Sequence, residues 1–253
     1  MRNQFWAVVA CVAVSVAAAP ANVTLHDLSG GSLSQDWSNT NLIVANDDWS
    51  GVPSIMGYRG DDPVAGNAVD PQTVLADYSA VIDVNANQTN PDTFTTGGVA
   101  EFDTLANPVV ALQGSGTADF TNLVIYVKTT GVTGVSISYA LRDIDGSTDN
   151  AVEPVALQYR LGNSGNFTNV PGAFVADAST GPSEATLVTL VSASDPAWDN
   201  QAEVQFRIIT SNAAGSDEWI GVDDIVVSAI PEPATMSLLA VGGLALLRRC
   251  NRR

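Results

Sequence analysis

The residues best suited to chemistry lie in one acidic loop. Positions 143–150 read Asp-Ile-Asp-Gly-Ser-Thr-Asp-Asn, which places three carboxylates and an amide around a glycine turn. Such oxygen-rich loops supply the hard ligands that Ca²⁺ prefers. The sequence predicts a calcium site, completed by acids of the last strand; its ligands would be Asp143, Asp145, Asp149, Asp223 and Asp224. The alternative is an Asx-rich turn, because the loop lacks the glycine and glutamate positions of an EF-hand.

Paired acids could also perform hydrolysis. Two carboxyl groups at the right separation act as general acid and as nucleophile or base in glycosidases, and Asp143 and Asp145 are candidates. Other catalytic parts are scarce: the only histidine is His26, and both cysteines lie in the terminal segments. There is no phosphate-binding glycine loop and no metal-ligand cysteine pair. We therefore expect a non-catalytic module, with a secreted hydrolase as the alternative.

Two aromatic residues are candidates for ligand stacking. Trp49 and Tyr58 lie in a stretch rich in Asp, Asn, Gly and Pro, where exposed rings could form a platform for sugars. The competing interpretation is burial, because large aromatic residues usually belong to the core. The sequence predicts Trp49 and Tyr58 as the best pair for a sugar-binding surface.

The charge of the chain excludes one class of partner. Its net charge is −17, and the body between Asn22 and Ile230 carries a net charge of −21 because five of the ten basic residues lie near the ends. Such a surface repels phosphate backbones. We therefore expect no binding to nucleic acid.

The elements that would position these residues are strands. Val135 to Leu141 alternate apolar and polar side chains with a period of two, and the same pattern recurs at Val155 to Arg160 and Val204 to Ile208. Leu123 to Val127, Leu187 to Val191 and Ile220 to Val227 add β-branched segments. With no helical stripe between them, these segments predict an all-β fold: a two-layer antiparallel β-sandwich, jelly-roll-like, with long loops.

The organisation has three parts. The sequence predicts a signal peptide at 1–21, an acidic sandwich domain at 22–230 and a sorting segment at 231–253. Within the domain, 46–107 is loop-rich and is expected to decorate the sandwich; a separate subdomain is the alternative.

The N-terminal segment has the layout of a secretory signal. Arg2 precedes an apolar run from Phe5 to Ala19, which predicts a signal helix, and cleavage after Ala21 would leave Asn22 as the new terminus. A weaker alternative is a lipobox ending at Cys11, but too few apolar residues precede that cysteine. The segment predicts export through the secretion machinery.

The C-terminal segment combines three features. Pro231-Glu232-Pro233 precedes an apolar run from Met236 to Leu247, which is followed by four arginines within six residues. As a short hydrophobic helix, 236–247 would be about 18 Å long, which is short of the roughly 30 Å hydrocarbon layer. The segment predicts transient membrane association, with the arginines on the cytoplasmic side and the body outside.

This arrangement resembles the PEP-CTERM sorting signal of bacteria. The resemblance implies recognition by an exosortase that processes the chain near Pro231, Glu232 and Pro233, which would be residues of a substrate. It also implies localisation at the cell envelope, the outer surface or an exopolysaccharide matrix. The two prolines keep the motif out of a helix and hold it extended, which is the form a processing enzyme can bind.

The closing segment of the body resembles the last strand of extracellular jelly-roll modules. Asp217 to Val227 carries an Asp-Asp pair before the final apolar alternation, as in the MAM-like and choice-of-anchor groups. The resemblance implies a binding or adhesion module. The function expected from the sequence is a structural or binding protein of the cell surface, with an exopolysaccharide or another envelope component as partner.

Overall fold

A computed structural model of the protein describes residues 23–61, 67–148, 151–181, 183 and 185–232. These residues form thirteen strands and five short 3₁₀ turns. The strands are β1 (His26–Asp27), β2 (Leu33–Gln35), β3 (Ile55–Tyr58), β4 (Asn85–Gln88), β5 (Gly98–Phe102), β6 (Val109–Gln113), β7 (Asn122–Lys128), β8 (Val132–Asp143), β9 (Ala156–Leu161), β10 (Thr168–Asn169), β11 (Val188–Ser194), β12 (Val204–Ile209) and β13 (Ile220–Pro231).

The strands form two sheets. Sheet I has the order β1-β7-β12-β9-β10, with β3 also paired to β7, and sheet II has the order β11-β8-β13-β6-β5-β4, with β2 also paired to β13. The pairs are antiparallel except β1 with β7 and β4 with β5. The predicted all-β sandwich is confirmed.

The core lies between the sheets, and strand alternation explains its composition. Ile137, Tyr139 and Leu141 of β8 point inward, as do Phe206 and Ile208 of β12, and all five are buried. Each strand places every second side chain on one face. The sequence pattern that predicted these strands is therefore also the pattern that builds the core.

Short polar residues begin most of the 3₁₀ turns. The side chains of Asp27, Asp70, Asn90 and Asp195 each accept a hydrogen bond from the backbone N–H two residues later. Asp and Asn favour such positions because their oxygen satisfies a backbone donor that the turn leaves free. Much of the abundant Asp and Asn content thus shapes loops.

The loop-rich stretch 46–107 joins both sheets. It contributes β3 to sheet I and contributes β4 and β5 to sheet II. Its side chains also enter the common core, for example Phe102.

A layer of buried polar residues covers the outer face of sheet I. Because Val204, Phe206 and Ile208 point into the core, Gln205 and Arg207 of β12 point to the opposite face, beside Gln158 and Arg160 of β9. The chain at 74–77 lies over them, with Val74 O and Ala76 O accepting from Arg207. The ring of Phe167 lies against both guanidinium groups. We call the four polar residues Gln158, Arg160, Gln205 and Arg207, together with Phe167, the basic layer.

Several predicted features lie outside the described residues. These are the signal helix within 1–21, the apolar helix at 236–247, the ligand Asp149, and Pro233 of the sorting motif. Within the part of the chain that the structure describes, no helix has the length and apolar character needed to cross a bilayer.

Candidate functional site

Five acidic residues gather at one end of the sandwich. Asp143 ends β8 and pairs with Ile220 at the start of β13, so Asp217 and Glu218 lie just beyond the same edge. Glu153 comes from the loop before β9 and accepts the Glu218 N–H at 2.9 Å. We call Asp143, Asp145, Glu153, Asp217 and Glu218 the acidic cluster.

Backbone donors hold the carboxylates of the cluster in place. Asp143 accepts the N–H of Asp145 at 3.2 Å through Oδ1 and the N–H of Thr180 at 2.6 Å through Oδ2. Asp217 Oδ1 accepts the Ala213 N–H at 2.6 Å. These bonds fix the orientation of the carboxylates without neutralising them, because no arginine or lysine takes part.

Two oxygens of the cluster are buried without a hydrogen-bond partner. They are Glu153 Oε2 and Glu218 Oε2, and both residues are almost fully buried. An ionised carboxylate left unpaired in the interior is costly, so burial favours the neutral acid. Burial raises the pKa of Glu153 well above its ordinary value, that of Glu218 to about 7 and that of Asp217 to about 6.

The structure brings only part of the predicted calcium set together. Asp143 and Asp145 are neighbours, but Asp223 accepts hydrogen bonds from Arg142 at 2.8 Å and Asn107 at 2.9 Å. Asp223 pairs with Ala140, three positions along the strand from the Asp143–Ile220 pair. Strand alternation also places the side chain of Arg142, the partner of Asp223, on the face opposite to that of Asp143.

The remaining predicted ligands do not complete that set. Asp224 is exposed and has a φ of 49°, at an irregularity of β13. Asp149 lies outside the described residues. Among the residues that the structure describes, no three acidic, histidine or cysteine side chains converge in a way that could hold a metal ion. Calcium binding therefore stays a prediction for Asp143 and Asp145, while Asp223 and Asp224 lie apart from them.

A cleft of about 340 Å³ opens beside the acidic cluster. Phe94 is one of its lining residues, and the half-buried Phe94 ring stacks on Trp219 with 5.6 Å between ring centroids. Trp219 Nε1 also donates to the Phe94 carbonyl at 2.7 Å. The Phe94 ring is therefore held rigidly at the cleft by a buried neighbour.

Polar groups surround that ring. The cleft is lined by Asp92, Gln113, Ser115, Asp145 and Asp217 among others. Asp92 Oδ1 accepts the Gly146 N–H at 2.9 Å and Asp145 Oδ1 accepts the Ser147 N–H at 3.0 Å, so backbone donors orient both carboxylates. A carboxylate has about four acceptor positions, which leaves capacity for hydroxyl groups of a ligand.

The predicted aromatic platform is buried. Trp49 donates its Nε1–H to Asp83 O at 3.1 Å and packs edge-on against Trp37. The Tyr58 hydroxyl lies 2.8 Å from that of Tyr126, and burial raises the pKa of Tyr58 to about 12. Trp49 lines a second cleft of about 260 Å³ but is only 4 % exposed, and Tyr58 is fully buried. The exposed pair of rings assumed from the sequence is therefore not present, because both residues belong to the core.

Sequence reasoning missed Phe94, Asp92, Glu153 and the contribution of Asp217 and Glu218. Glu153 stands alone between Val152 and Pro154, with nothing to connect it to residues 65 positions later. The single available signal was the acidic pair directly before Trp219. The pairing of β8 with β13, which no local pattern encodes, assembles the site.

The sorting segment begins inside the folded domain. β13 continues to Pro231, which pairs with Val132 of β8, and the Glu232 N–H donates to Gly131 O at 3.0 Å. The side chain of Glu232 is exposed. Two of the three predicted motif residues are therefore described, and both lie at one end of sheet II.

The chain is similar to several solved structures, each at low sequence identity. The K1 cleaved adhesin domain of Lys-gingipain from Porphyromonas gingivalis is 15% identical, with 79% of this chain and 99% of that chain covered and a TM-score of 0.43. A carbohydrate-binding module of family 28, specific for non-crystalline cellulose, is 11% identical, with 58% and 97% covered and a TM-score of 0.35. TmCBM61, solved with β-1,4-galactotriose, is also 11% identical, with 49% and 72% covered and a TM-score of 0.32. With TM-scores below 0.5, these similarities do not identify a ligand for this chain.

The sequence comparisons point to the C-terminal end. None of the curated proteins matches the chain at a significant level. A family model, the PEP-CTERM protein-sorting motif, matches residues 229–253, which confirms the resemblance seen in the sequence. The chain carries a PEP-CTERM sorting motif that starts at the end of β13, and this motif indicates export to the cell surface.

Proposed function

We propose that this protein is an exosortase substrate whose β-sandwich acts at the cell surface or in the surrounding matrix as a non-catalytic binding module. The observation that carries the proposal is the match of residues 229–253 to the sorting motif, placed directly after the last strand. Pro231, Glu232 and Pro233 are then the residues that the exosortase reads. The sandwich is the part that remains outside the cell after processing.

Removal of the motif tests the sorting step. In the host, an exported chain with Pro231→Ala and Pro233→Ala should keep its C-terminal tail, whereas the wild-type chain should lose it. Intact-mass measurement of both exported chains distinguishes the two forms. Retention of the tail by both chains, or its loss from both, would contradict processing at this motif.

The cleft beside the acidic cluster is the proposed binding site, and a neutral polysaccharide is the proposed ligand. Phe94 offers a rigid aromatic ring on which a sugar ring can stack, and Asp145, Asp217, Gln113 and Ser115 offer hydrogen-bonding groups around it. Proteins bind small ligands in concave sites with a few well-placed polar groups. The carboxylates of the cleft repel anionic sugars, which favours a neutral chain.

A matched pair of variants tests this site. Phe94→Leu should weaken binding of the best neutral polysaccharide by about tenfold, the equivalent of about 1.4 kcal/mol. The control is Phe174→Leu, because Phe174 is also half-buried but packs in a separate cluster away from the cleft. Tryptophan fluorescence reports binding through Trp219, which stacks on Phe94. Equal affinity of both variants, or silence of the wild type across a neutral panel, would contradict the proposal.

A secreted hydrolase is the second candidate, favoured by the raised pKa values of the cluster. Asp217, which lines the cleft and whose pKa burial raises to about 6, is the candidate general acid, and Asp145 is the second carboxylate of the same lining. Release of reducing ends from the bound polysaccharide tests this function. If turnover occurs and is lost in Asp217→Asn and Asp145→Asn while binding persists, the module is an enzyme.

A further inference from the structure

The last strand carries the sorting motif into the folded domain. Pro231 pairs with Val132 of β8, and the next residue, Glu232, is bound through its N–H to Gly131 O. No linker separates the sandwich from the motif, since β13 runs on to Pro231. An enzyme that reads this motif therefore meets it at the end of a hydrogen-bonded strand.

The two sides of this strand end differ. On one side lies β8; on the other, β2 pairs with β13 only from Ile225 to Val227, and no described strand continues that pairing. In an antiparallel ladder the backbone groups of successive residues point to opposite sides. Because the Glu232 N–H points to β8, the backbone of Pro231 points to the other side, where proline offers a carbonyl and no donor.

The motif consequently has a single backbone donor, and that donor is occupied. Proline lacks an N–H, so within Pro231-Glu232-Pro233 only Glu232 has one, and Gly131 O already accepts it. Enzymes that bind an extended strand do so largely through main-chain hydrogen bonds. Binding of this kind needs the Glu232 N–H to be free.

We infer that the folded sandwich controls access to its own sorting motif: the exosortase reads the motif only after Ile230 to Glu232 have detached from β8. The inference rests on the sorting function proposed above and adds a conformational step that precedes processing. The partner is the exosortase, and the contact that must open is the one that the motif makes with Gly131 and with Val132 and Thr133 at the start of β8.

Ile230 to Glu232 can detach from β8 while the rest of β13 stays paired. The register of β13 against β8 shifts between Ser228 and Ile230, where Ala229 alone faces two residues of β8, Gly134 and Val135, and we take this break in the ladder as the hinge. Beyond the shift, Ile230 is 66 % exposed and contributes little to the core. Before it, the hydroxyls of Ser136 and Ser228 lie 3.0 Å apart and join the strands.

The β8 side of the contact is fixed. The Gly131 N–H donates to Asn200 Oδ1 at 3.0 Å, and Val132 is fully buried. Opening therefore moves the motif and leaves the sandwich folded, as in the local openings that hydrogen exchange detects.

A cross-strand disulfide tests the inference in the full-length chain. Thr133 and Ile230 are direct partners, and such partners lie at a Cα separation that a disulfide can span. The variant Thr133→Cys with Ile230→Cys locks the strand beyond the hinge. The control, Ser136→Cys with Ser228→Cys, locks it before the hinge and leaves the motif free to open. Peptide mapping of each exported chain verifies which cysteines are joined.

The rate of C-terminal processing in the host is the readout. The lock at 133 and 230 should slow processing at least about tenfold, reductant should restore it, and the control should be processed at the wild-type rate. Processing of the locked chain at the wild-type rate would overturn the inference and leave the sorting function intact. A wild-type chain that is never processed would overturn both.

Discussion

The basic layer and the acidic cluster are both built from buried ionisable side chains, but they differ in how completely these are paired. In the basic layer, Arg207 donates to Gln158, to Ala76 O at 2.8 Å and to Val74 O at 2.6 Å. Arg160 donates to Gln205 and to Asp77 at 2.6 Å. In the acidic cluster, Glu153 and Glu218 each keep one buried oxygen without a partner.

This difference distinguishes buried polar side chains that stabilise the fold from buried polar side chains that are available to a ligand or a proton. Both arginines also lie close to the Phe167 ring, with guanidinium carbons 4.5 and 3.9 Å from its centroid. Burial lowers the pKa of Arg207 to about 9, so it stays charged at neutral pH and holds the covering loop on sheet I. A completed network of this kind rigidifies a fold, whereas unpaired buried acids cost stability and mark a place where a ligand or a proton can bind.

Removing Arg207 should have the largest effect on stability. Arg207→Met leaves Gln158 Oε1 and the carbonyls of Val74 and Ala76 without their donor, and each buried acceptor left unsatisfied costs about 1–3 kcal/mol. The control is Arg59→Met, because Arg59 is paired with Asp61 near the surface, where ion pairs contribute about 0–1 kcal/mol. Urea unfolding measures both. Equal losses of unfolding free energy in the two variants would contradict a structural role for the basic layer.

The acidic cluster should make the protein less stable as the pH rises. The folded state holds protons on Asp217 and Glu218 up to pKa values of about 6 and 7, above those of the unfolded chain. Between about pH 4 and 7 the folded state therefore binds more protons than the unfolded state, and its stability falls with increasing pH. We expect unfolding by urea to show a loss of at least about 2 kcal/mol from pH 4.5 to 7.5 without divalent cations.

Other buried acids also contribute to this pH dependence of stability, for example Glu101, whose pKa burial raises to about 7. A neutral variant of Glu218 isolates the contribution of the acidic cluster. Glu218→Gln should make the pH dependence shallower and raise stability at pH 7.5, while Glu232→Gln, at an exposed carboxylate, should change neither. An unchanged slope in Glu218→Gln would show that Glu218 is not protonated in the folded state at neutral pH.

Calcium should have a smaller effect that depends on the same end of the sandwich. If Asp143 and Asp145 bind Ca²⁺, a tenfold excess over Kd stabilises the folded state by about 1.4 kcal/mol. Thermal unfolding in Ca²⁺ and in EGTA should then differ by several degrees, and Asp145→Asn should remove the difference, whereas Asp224→Asn should keep it. Identical melting temperatures in the two buffers would eliminate the predicted calcium site.

The strands were largely predictable, because alternation is a local signal. Predicted Val135 to Leu141 lies within β8, and predicted Ile220 to Val227 lies within β13. Short strands such as β1 and β10 were not predictable, since two residues carry no periodicity and depend on a partner strand. Burial of Trp49 and Tyr58 was missed because the loop-rich composition around them suggested exposure.

The site was less predictable than the fold, because it forms between distant segments. Asp143 and Asp145 were recognised as a pair, but Glu153 and Phe94 reach the same end through the packing of the sheets. Asp223 was assigned to the wrong neighbours, since its pairing with Arg142 depends on the register of β8 and β13. The sorting motif was found from sequence alone, because its Pro-Glu-Pro, apolar and arginine parts follow one another along the chain and need no fold to be recognised.

The intact mass of the exported chain, isolated from the host, is the decisive measurement for export and sorting. We predict a chain that has lost its N-terminal leader and has been cut near Pro231-Glu232-Pro233, with the sandwich complete. Recovery of the chain from the cytosol with both ends retained would contradict export and sorting together.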